Sequence, residues 1–345
     1  MSKFHQLTIN KINQLTSSSV EISFNISNSD SFRFIAGQYI TIKHLIGNEE
    51  VRRAYSICSS PFEGLSIGVK LVDNGRMSSF LTKDLKEGDV LEVMPPSGNF
   101  TINEENKHVV GICAGSGITP ILSMIKVFLA KNLKSSFTLI FGNQSKETTM
   151  FLNEIVSLEK DSDKRLKVYW LFSRENVKSS INGRIDKNSM QQLLNTIPNI
   201  KSADNYFLCG PGEMIDNIQE LLLLNNINQS KIHFERFSTI INDDLSDDSK
   251  EIYSNVTVCV DGDDFEFMLS SKGQTILDAA IEHGADAPFS CKGAVCCTCK
   301  AKVIEGKVIM DANYSLSEEE VGEGYILGCQ ARPASAKVIV DFDEM

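Results

Sequence analysis

Four cysteines near the end of this 345-residue chain restrict its fold more than any other feature. They follow the pattern C-x4-C-x2-C, with a fourth cysteine after 29 further residues. This is the plant-type spacing of a [2Fe–2S] cluster, in which four thiolates hold two irons and two bridging sulfides. A Gly-containing loop over residues 292–295 allows the backbone to wrap the cluster and direct N–H groups at its sulfurs. In this register the ligands are Cys291, Cys296, Cys299 and Cys329, and Cys297 is left over.

Zinc is the alternative metal for such cysteines. A four-cysteine zinc site is usually built from two C-x-x-C pairs, and Cys329 has no second cysteine beside it. The spacing therefore predicts a cluster that carries one electron, and the source of that electron has to be sought elsewhere in the chain.

Length and composition indicate a multidomain globular protein. A chain of 345 residues predicts two or three domains, and 42% hydrophobic with 23% charged residues is typical of soluble proteins. No apolar run approaches the roughly 20 residues needed to span a bilayer, and the first ten residues are not a signal peptide. Nine cysteines without a secretion signal favour a reducing compartment, so we expect a cytoplasmic protein without disulfides and without a membrane partner.

The net charge of −11 is concentrated towards the cluster end. Residues 254–345 carry 16 acidic and 7 basic side chains, whereas residues 1–237 have a net charge of +2. This distribution argues against nucleic acid as a partner. It fits either simple solubility or docking of an acidic electron carrier on a near-neutral or basic surface.

Hydrophobic patterning divides the chain into four segments. Residues 1–105 alternate apolar and polar side chains over short runs broken by Gly-containing turns, which predicts an antiparallel barrel or sandwich. Residues 106–237 alternate continuous apolar runs with helical periodicity, which predicts a βαβ domain with a parallel sheet. Residues 238–253 are polar and acidic, as in a flexible linker. Residues 254–345 form the cluster domain, with a helix near Thr275–His283 and a capping box at Ser317.

Two short motifs in the first segment are suited to a ligand that has phosphate groups and a flat ring. Arg53-Ala54-Tyr55-Ser56 combines a guanidinium that can pair with phosphate, a ring that can stack and a hydroxyl that can hydrogen-bond. Gly75-Arg76-Met77-Ser78 supplies a turn whose N–H groups can anchor a pyrophosphate. An exposed arginine beside a packed tyrosine is the ordinary explanation of the first motif alone.

Three strand ends in the second segment are suited to a nucleotide. Gly115-Ser116-Gly117-Ile118-Thr119-Pro120 lies between a buried strand and a helix, with Thr119 expected at the N-cap and Pro120 at the first helical position. Cys209-Gly210-Pro211-Gly212 ends another strand, and Ser173-Arg174 ends a third, where an arginine can pair with a 2′-phosphate. A bare GxG or a buried cysteine before a turn also has structural explanations.

The order of these motifs resembles that of the ferredoxin–NADP reductase superfamily. The matching elements are RxYS, GxxS, GxGxxP, CGPG and a Glu-Arg-Phe segment, followed by the C-terminal ferredoxin. FSCKGAVCCTCKAKVIEGKVIMDANYSL and GYILGCQARP further resemble the subfamily of phenylacetyl-CoA epoxidase reductase subunits. The resemblance implies an antiparallel β-barrel FAD domain, an α/β parallel-sheet NAD(P) domain and an α+β, β-grasp-type ferredoxin domain.

The resemblance also implies roles for individual residues. Those expected to act on the reacting rings are Ser56, Cys209, Glu235 and Phe237. Those expected to hold cofactors are Arg53, Ala54, Tyr55, Ser56, Gly75, Met77, Ser78, Gly115, Gly117, Thr119, Pro120, Ser173, Arg174, Cys209, Gly210, Pro211 and Gly212.

The nicotinamide preference follows from the same resemblance. Ser173 and Arg174 match 2′-phosphate contacts, so NADPH is favoured and NADH remains possible. Gly142-Asn143-Gln144 weakens this preference, because the family often has Arg at the third position. Position 297 is Cys where many relatives have Ser.

The resulting hypothesis is a converter from two-electron to one-electron transfer. Hydride passes from NADPH to FAD, single electrons pass to the [2Fe–2S] cluster, and the cluster reduces an oxygenase or another redox-acceptor protein. The favoured acceptor is a di-iron phenylacetyl-CoA epoxidase. Alternatives are a hybrid-cluster protein, a desaturase or another hydroxylase, or a non-catalytic redox sensor.

Overall fold

The computed structural model describes residues 4–26, 30–103, 105–131, 134–237 and 251–344. They divide into two compact units, one comprising Phe4–Val51 and Tyr55–Phe237 and the other residues 251–344 with Arg52–Ala54. Of the predicted linker, residues 238–250 lie outside the described residues. Within the described ranges, no helix is both long and apolar enough to cross a membrane.

The larger unit begins with a closed antiparallel sheet, as predicted. Its strands are β1 (His5–Thr16), β2 (Ser19–Asn25), β3 (Tyr39–Ile46), β4 (Glu49–Ser56), β5 (Leu65–Lys70) and β6 (Val90–Val93). Their order is β4-β3-β6-β1-β2-β5, and a bridge between Ile57 and Ile67 joins the two edges. Inward-facing side chains such as Ile22 and Ile42 are completely buried, which is the main source of the barrel's stability. A short helix, α1 (Arg76–Ser79), continues into one π-helical turn between β5 and β6.

The second half of the larger unit is a parallel sheet, also as predicted. Its strands are β7 (His108–Ala114), β8 (Ser136–Asn143), β9 (Leu166–Phe172), β10 (Ile181–Asn182), β11 (Asn205–Gly210) and β12 (Ile232–Arg236). The helices are α2 (Ile118–Lys131), α3 (Leu152–Asp161), α4 (Lys187–Thr196) and α5 (Gly212–Leu224). The strands lie in the order β10-β9-β8-β7-β11-β12. All of them are parallel, but from β7 the chain adds strands first towards one edge of the sheet and then, from β11, towards the other. In open α/β sheets, ligands bind at the carboxyl ends of the strands at such a reversal.

The start of α2 differs from the sequence prediction. A 3₁₀ turn over Gly115–Gly117 leads directly into the helix at Ile118. The Ile118 N–H already donates to the carbonyls of this turn, so Thr119 lies inside the helix. Its hydroxyl donates to the Ser116 carbonyl at 3.0 Å. The predicted N-cap role of Thr119 is therefore wrong, and so is the predicted first helical position of Pro120, which is the third residue of the helix.

The smaller unit is an α+β fold around its own core. Its strands are β13 (Tyr253–Val260), β14 (Asp263–Ser270), β15 (Lys300–Glu305), β16 (Val308–Met310), β17 (Tyr325–Leu327), β18 (Ala331–Pro333) and β19 (Lys337–Asp341). Five of them form a mixed sheet of order β14-β13-β19-β15-β17, in which only β13 and β19 pair in parallel. The helices are α6 (Ile276–Glu282) and α7 (Glu318–Gly322). Thr275 caps α6, and Ser317 forms a capping box with Glu320, which confirms both predicted helices.

Candidate functional site

The two loops at the sheet reversal pack directly against each other. A Cβ atom on Gly117 would lie 2.1 Å from the Cys209 carbonyl oxygen, so only glycine allows this approach. A Cβ on Gly210 would lie 3.2 Å from the backbone nitrogen of Ala114. Gly115 has a φ of +56°, in the left-handed region that favours glycine. The predicted segments 115–120 and 209–212 therefore meet in one cradle at the carboxyl ends of β7 and β11.

Cys209 is a buried neutral thiol in this cradle. It lies opposite Glu235 of β12 and Cys113 of β7 in the sheet register. Burial raises the pKa of the Cys209 thiol well above its ordinary value, and the charge of Glu235 adds to the shift. Thr119 and Pro120 are also buried, whereas Pro211 is exposed and precedes the first residue of α5, Gly212. The Cys209 thiol, Thr119 and Pro120 thus supply uncharged, close-packed groups where a flat ring can lie.

The neighbouring strand ends carry polar groups. Both polar atoms of the Asn143 side chain, at the end of β8, are buried without a hydrogen-bond partner in the described chain. Ser173 and Arg174 follow β9, and their backbone N–H groups donate to the carbonyls of Asn143 and Gln144 at 3.0 and 2.8 Å. The Arg174 side chain is exposed. An orphaned buried amide beside an exposed guanidinium fits a polar ligand that lies across these strand ends.

One hydrogen bond joins the barrel to the parallel sheet at this cradle. The buried Ser56 hydroxyl, at the end of β4, donates to Glu235 Oε2 at 2.9 Å across 179 residues of sequence. Because Glu235 is opposite Cys209 in register, Ser56, Glu235 and Cys209 lie in one row. Phe237 follows β12 and is 44% exposed. Three of the four residues expected to act on the reacting rings are thereby brought together.

The remaining flavin-motif residues lie along β4 and α1. Arg53 is exposed, and Ala54 and Tyr55 are half-buried on the same strand as Ser56. Met77 and Ser78 are buried in α1. The Ser78 hydroxyl donates to the Gly75 carbonyl and accepts from the Val72 N–H, both at 3.2 Å. The Ser78 hydroxyl therefore holds the turn between Val72 and α1.

Two residues at the cradle were not identified from the sequence. Lys70 ends β5 with its Nζ 3.8 Å from the position of a Cβ on Gly115, and desolvation lowers the pKa of its ammonium. A Cβ on Gly68, also in β5, would lie 2.6 Å from Thr119 Cγ2. The only sequence signal for either is their place in an apolar strand downstream of RxYS, which does not distinguish them from ordinary barrel residues.

The four predicted ligand cysteines form two pairs in the smaller unit. Cys296 Sγ lies 3.1 Å from Cys291 Sγ, and Cys299 hydrogen-bonds Cys329. Among the described residues, no three of these sulfurs lie within 4.8 Å of one another. A single tetrahedral zinc would bring all four sulfurs within about 3.8 Å of each other, given its Zn–S bonds of ~2.3 Å. Two separate pairs fit two irons with two thiolates each.

Backbone amides and one side chain are directed at these sulfurs. The Gly293 N–H donates to Cys291 Sγ at 3.3 Å, and Gln330 Nε2 lies 3.7 Å from Cys329 Sγ. The hydrogen bond from Cys296, helped by nearby N–H groups, lowers the pKa of Cys291 to about 7 despite burial. Cys297 points away from the pairs, and its thiol donates to the Ser315 carbonyl at 3.2 Å. The donor set therefore suits a thiolate-bound cluster, with Cys297 outside it.

Comparison with known proteins agrees with this geometry. Three family models match the chain, described as an oxidoreductase FAD-binding domain over residues 6–102, an oxidoreductase NAD-binding domain over 112–220 and a 2Fe-2S iron-sulfur cluster binding domain over 258–334. The chain is 39% identical to one subunit of the 1,2-phenylacetyl-CoA epoxidase of Escherichia coli, over 99% of both chains. This chain belongs to the ferredoxin–NADP reductase superfamily, in the branch with a C-terminal [2Fe–2S] domain.

One further relative and two solved structures extend the comparison. The chain is 30% identical to the ferredoxin reductase component of a 3-ketosteroid-9-alpha-monooxygenase of Rhodococcus rhodochrous, over 97% of this chain and 96% of the relative. Its fold is similar to that of phthalate dioxygenase reductase, with a TM-score of 0.61, 23% identity and 98% coverage of both chains. A type IV self-sufficient cytochrome P450 monooxygenase has a TM-score of 0.75 at 20% identity, over 98% of this chain and 41% of that one.

As a superfamily member, this reductase is an oxidoreductase that uses FAD, a [2Fe–2S] cluster and NAD(P)H. Among its relatives, the Rhodococcus rhodochrous protein is named as the ferredoxin reductase component of a monooxygenase, and the Escherichia coli protein as a subunit of an epoxidase. The tight loops at 115–117 and 209–210, the orphaned Asn143 amide and the paired cysteines are the local features of this chain that fit those groups.

Proposed function

We propose that this reductase carries electrons from NADPH to a di-iron phenylacetyl-CoA epoxidase. The identity to one component of that enzyme, 39% over 99% of both chains, supports this acceptor over those of relatives near 30%. The juxtaposition of Ser56, Glu235 and Cys209 at one cradle is the structural observation that carries the reaction. We also propose a cytoplasmic location, which the nine free thiols support.

The cofactors supply the redox chemistry. When bound, FAD accepts a hydride from the nicotinamide and the [2Fe–2S] cluster transfers electrons one at a time. The chain's own residues bind, orient and shield these groups.

The cradle residues would orient the nicotinamide against the flavin. Gly115, Gly117 and the start of α2 provide backbone N–H groups for the pyrophosphate. Thr119 and the neutral Cys209 thiol would flank the nicotinamide ring. Ser56, held by Glu235, would hydrogen-bond the flavin edge where the hydride arrives.

The flavin would be held along β4 and α1. Arg53 would pair with its phosphate, Tyr55 would stack on its ring, and the turn of Gly75 with Met77 and Ser78 would bind its pyrophosphate. Arg174 with Ser173 would read the 2′-phosphate of NADPH. We propose functional boundaries at 1–105, 106–237 and 254–345, with 238–253 as the linker.

The proposal is tested by coupled turnover. The purified reductase is mixed with NADPH and the oxygenase components of the epoxidase, with and without phenylacetyl-CoA. We expect NADPH oxidation to be stimulated by phenylacetyl-CoA and to yield the epoxide. Flavin reduction without coupled epoxidation would reject this acceptor and leave the electron-transfer chemistry intact. Flavin that NADPH does not reduce would reject the mechanism.

A further inference from the structure

One face of helix α2 packs against the segment that follows β4, the strand that ends at Ser56. Thr119, Ser123 and Lys126 occupy positions i, i+4 and i+7 of this helix, which lie on one side of it. The opposing segment comprises the connection from Ile57 to Gly64 and the first residues of β5, up to Gly68. Helix α2, which begins in the cradle, therefore packs against the barrel segment that follows Ser56.

Each of the three helix residues makes a distinct contact. At the helix start, Thr119 Cγ2 would lie 2.6 Å from a Cβ on Gly68, so glycine is needed for this approach. One turn later, the buried Ser123 hydroxyl donates to the Ser59 carbonyl at 2.6 Å. Lys126 Nζ lies 3.2 Å from Glu63 Oε2 in the turn between the strands.

The Lys126 contact is partly withdrawn from water. The lysine side chain is 9% exposed, and its Nζ also lies 2.6 Å from Glu154 Oε1 of α3. Burial by itself lowers the pKa of Lys126, but the carboxylates of Glu154 and Glu63 outweigh it and raise the pKa above its ordinary value. A desolvated ammonium with two carboxylate partners stays charged and holds both.

The turn that receives Lys126 is itself rigid. Glu63 Oε2 accepts from the Ser60 N–H at 2.8 Å, and the Ser59 hydroxyl donates to the Gly64 carbonyl at 2.7 Å. Ser59 and Ser56 are three residues apart on the same segment. Only Ile57 and Cys58, both fully buried, separate Ser59 from Ser56.

We propose that Lys126, through Glu63 and together with Ser123, is a positioning residue for hydride transfer. These three residues form a clamp between α2 and the barrel. The clamp holds Thr119 of α2 at a set distance from Ser56 and so sets how closely the nicotinamide and the flavin meet. This inference rests on the proposed function. Hydride transfer depends steeply on the separation of donor and acceptor, and a displacement of about 1 Å can cost on the order of a hundredfold in rate.

The two carboxylate partners of Lys126 offer a matched pair of variants. Glu63→Gln weakens the ion pair between α2 and the turn that joins β4 to β5, whereas Glu154→Gln weakens only the ion pair between α2 and α3. Each variant neutralises one of the two carboxylate partners of the same ammonium. Ser123→Ala tests the clamp by a second contact, and Lys126→Arg retains the charge.

The measurement is stopped-flow reduction of the flavin in the full-length holoprotein, with NADPH and with NADPH deuterated at the transferred hydrogen. We expect Glu63→Gln to lower the limiting rate about tenfold and to alter the isotope effect, with little change in the NADPH Kd. We expect Ser123→Ala to act in the same direction, and Glu154→Gln and Lys126→Arg to stay within about twofold of the original rate.

The outcomes separate this inference from the proposed function. Equal rates for Glu63→Gln, Ser123→Ala and the original protein would overturn the inference. So would equal losses for Glu63→Gln and Glu154→Gln, because they would indicate general destabilisation. If NADPH does not reduce the flavin of the unaltered protein, the proposed function itself fails.

Discussion

At the scale of single residues, Ser56 and Glu235 join the barrel to the parallel sheet beside the cradle. Their hydrogen bond, at 2.9 Å, connects a buried hydroxyl of the barrel to a half-buried carboxylate of the parallel sheet. A hydrogen bond to a charged group is typically worth about 1.5–3 kcal/mol, so loss of the Ser56 hydroxyl weakens this connection between barrel and sheet.

We predict that Ser56→Ala slows flavin reduction by NADPH about tenfold to a hundredfold, because the flavin edge loses an oriented hydrogen bond. Stopped-flow absorbance measures this rate. Thr196→Ala, which removes a hydroxyl at the end of α4, serves as the control. An unchanged rate in Ser56→Ala would remove Ser56 from the reaction.

Arg174 governs a different property, the choice of nicotinamide. Its exposed guanidinium follows β9, and charge-assisted hydrogen bonds to phosphate are worth about 1.5–3 kcal/mol. We predict that Arg174→Ala lowers kcat/KM for NADPH about tenfold to a hundredfold, and that for NADH much less. Steady-state kinetics with both nucleotides test this.

The control for Arg174→Ala is Lys201→Ala. Lys201 lies just before β11, at the amino-terminal edge of the sheet, and is also exposed. Equal losses for NADPH and NADH in Arg174→Ala would show that this residue does not read the 2′-phosphate.

Substitution of Cys297 tests the assignment of the cluster ligands, because Cys297 is adjacent in sequence to the assigned ligand Cys296. Its thiol donates to the Ser315 carbonyl and lies outside the two cysteine pairs. We predict that Cys297→Ser retains two irons per chain, since a hydroxyl can make the same hydrogen bond, whereas Cys299→Ser loses the cluster. Iron and sulfide analysis with visible spectroscopy decides between them. Loss of iron in Cys297→Ser would contradict the assignment.

At the scale of elements, the start of α2 is placed by its contact with β11. The 3₁₀ turn before α2 approaches the Cys209 carbonyl so closely that any Cβ on Gly117 overlaps it. A backbone carbonyl in the middle of a sheet cannot move aside as a flexible side chain can. The position of the turn is therefore determined by the sheet and not by the helix alone.

We predict that Gly117→Ala destabilises the larger unit by about 1–3 kcal/mol and weakens nicotinamide binding, because the turn has to shift. Thermal unfolding followed by flavin fluorescence measures the first effect, and titration with NADP+ the second. Gly322→Ala is the control, since no atom lies within 4 Å of its Cβ position. Equal stability of the two variants would contradict the predicted overlap.

At the scale of the whole molecule, the two compact units have separate hydrophobic cores. The larger unit buries side chains of the barrel and of the parallel sheet, such as Ile42 and Phe141. The core of the smaller unit includes the ligands Cys299 and Cys329. The cluster therefore contributes to one core and not to the other.

We predict that removal of the cluster iron with a chelator leaves NADPH oxidation with ferricyanide intact, because this dye can take electrons from the flavin of the larger unit. Electron delivery to the oxygenase should be lost. Parallel assays with the two acceptors, before and after reconstitution with iron and sulfide, test this. Loss of both activities would show that the larger unit depends on the cluster.

The sequence alone determined the features that depend on short spacings. The C-x4-C-x2-C run, the apolar strands at Val109–Ile112 and Tyr206–Cys209, and the capping box at Ser317 all act over a few residues. Local sterics and hydrogen bonding are sufficient to specify such features. The three domain types and the cofactors were implied by the resemblance of the motif order to that of the ferredoxin–NADP reductase superfamily.

Only the tertiary structure decided which distant residues meet. The bond between Ser56 and Glu235 spans 179 residues, and the clamp of Lys126 joins a helix to a turn of another layer. The same holds for the approach of Gly117 to Cys209. No local sequence pattern encodes these contacts, because they depend on the close packing of the barrel against the parallel sheet. The cysteine spacing predicted a cluster, but packing divided its four sulfurs into two pairs.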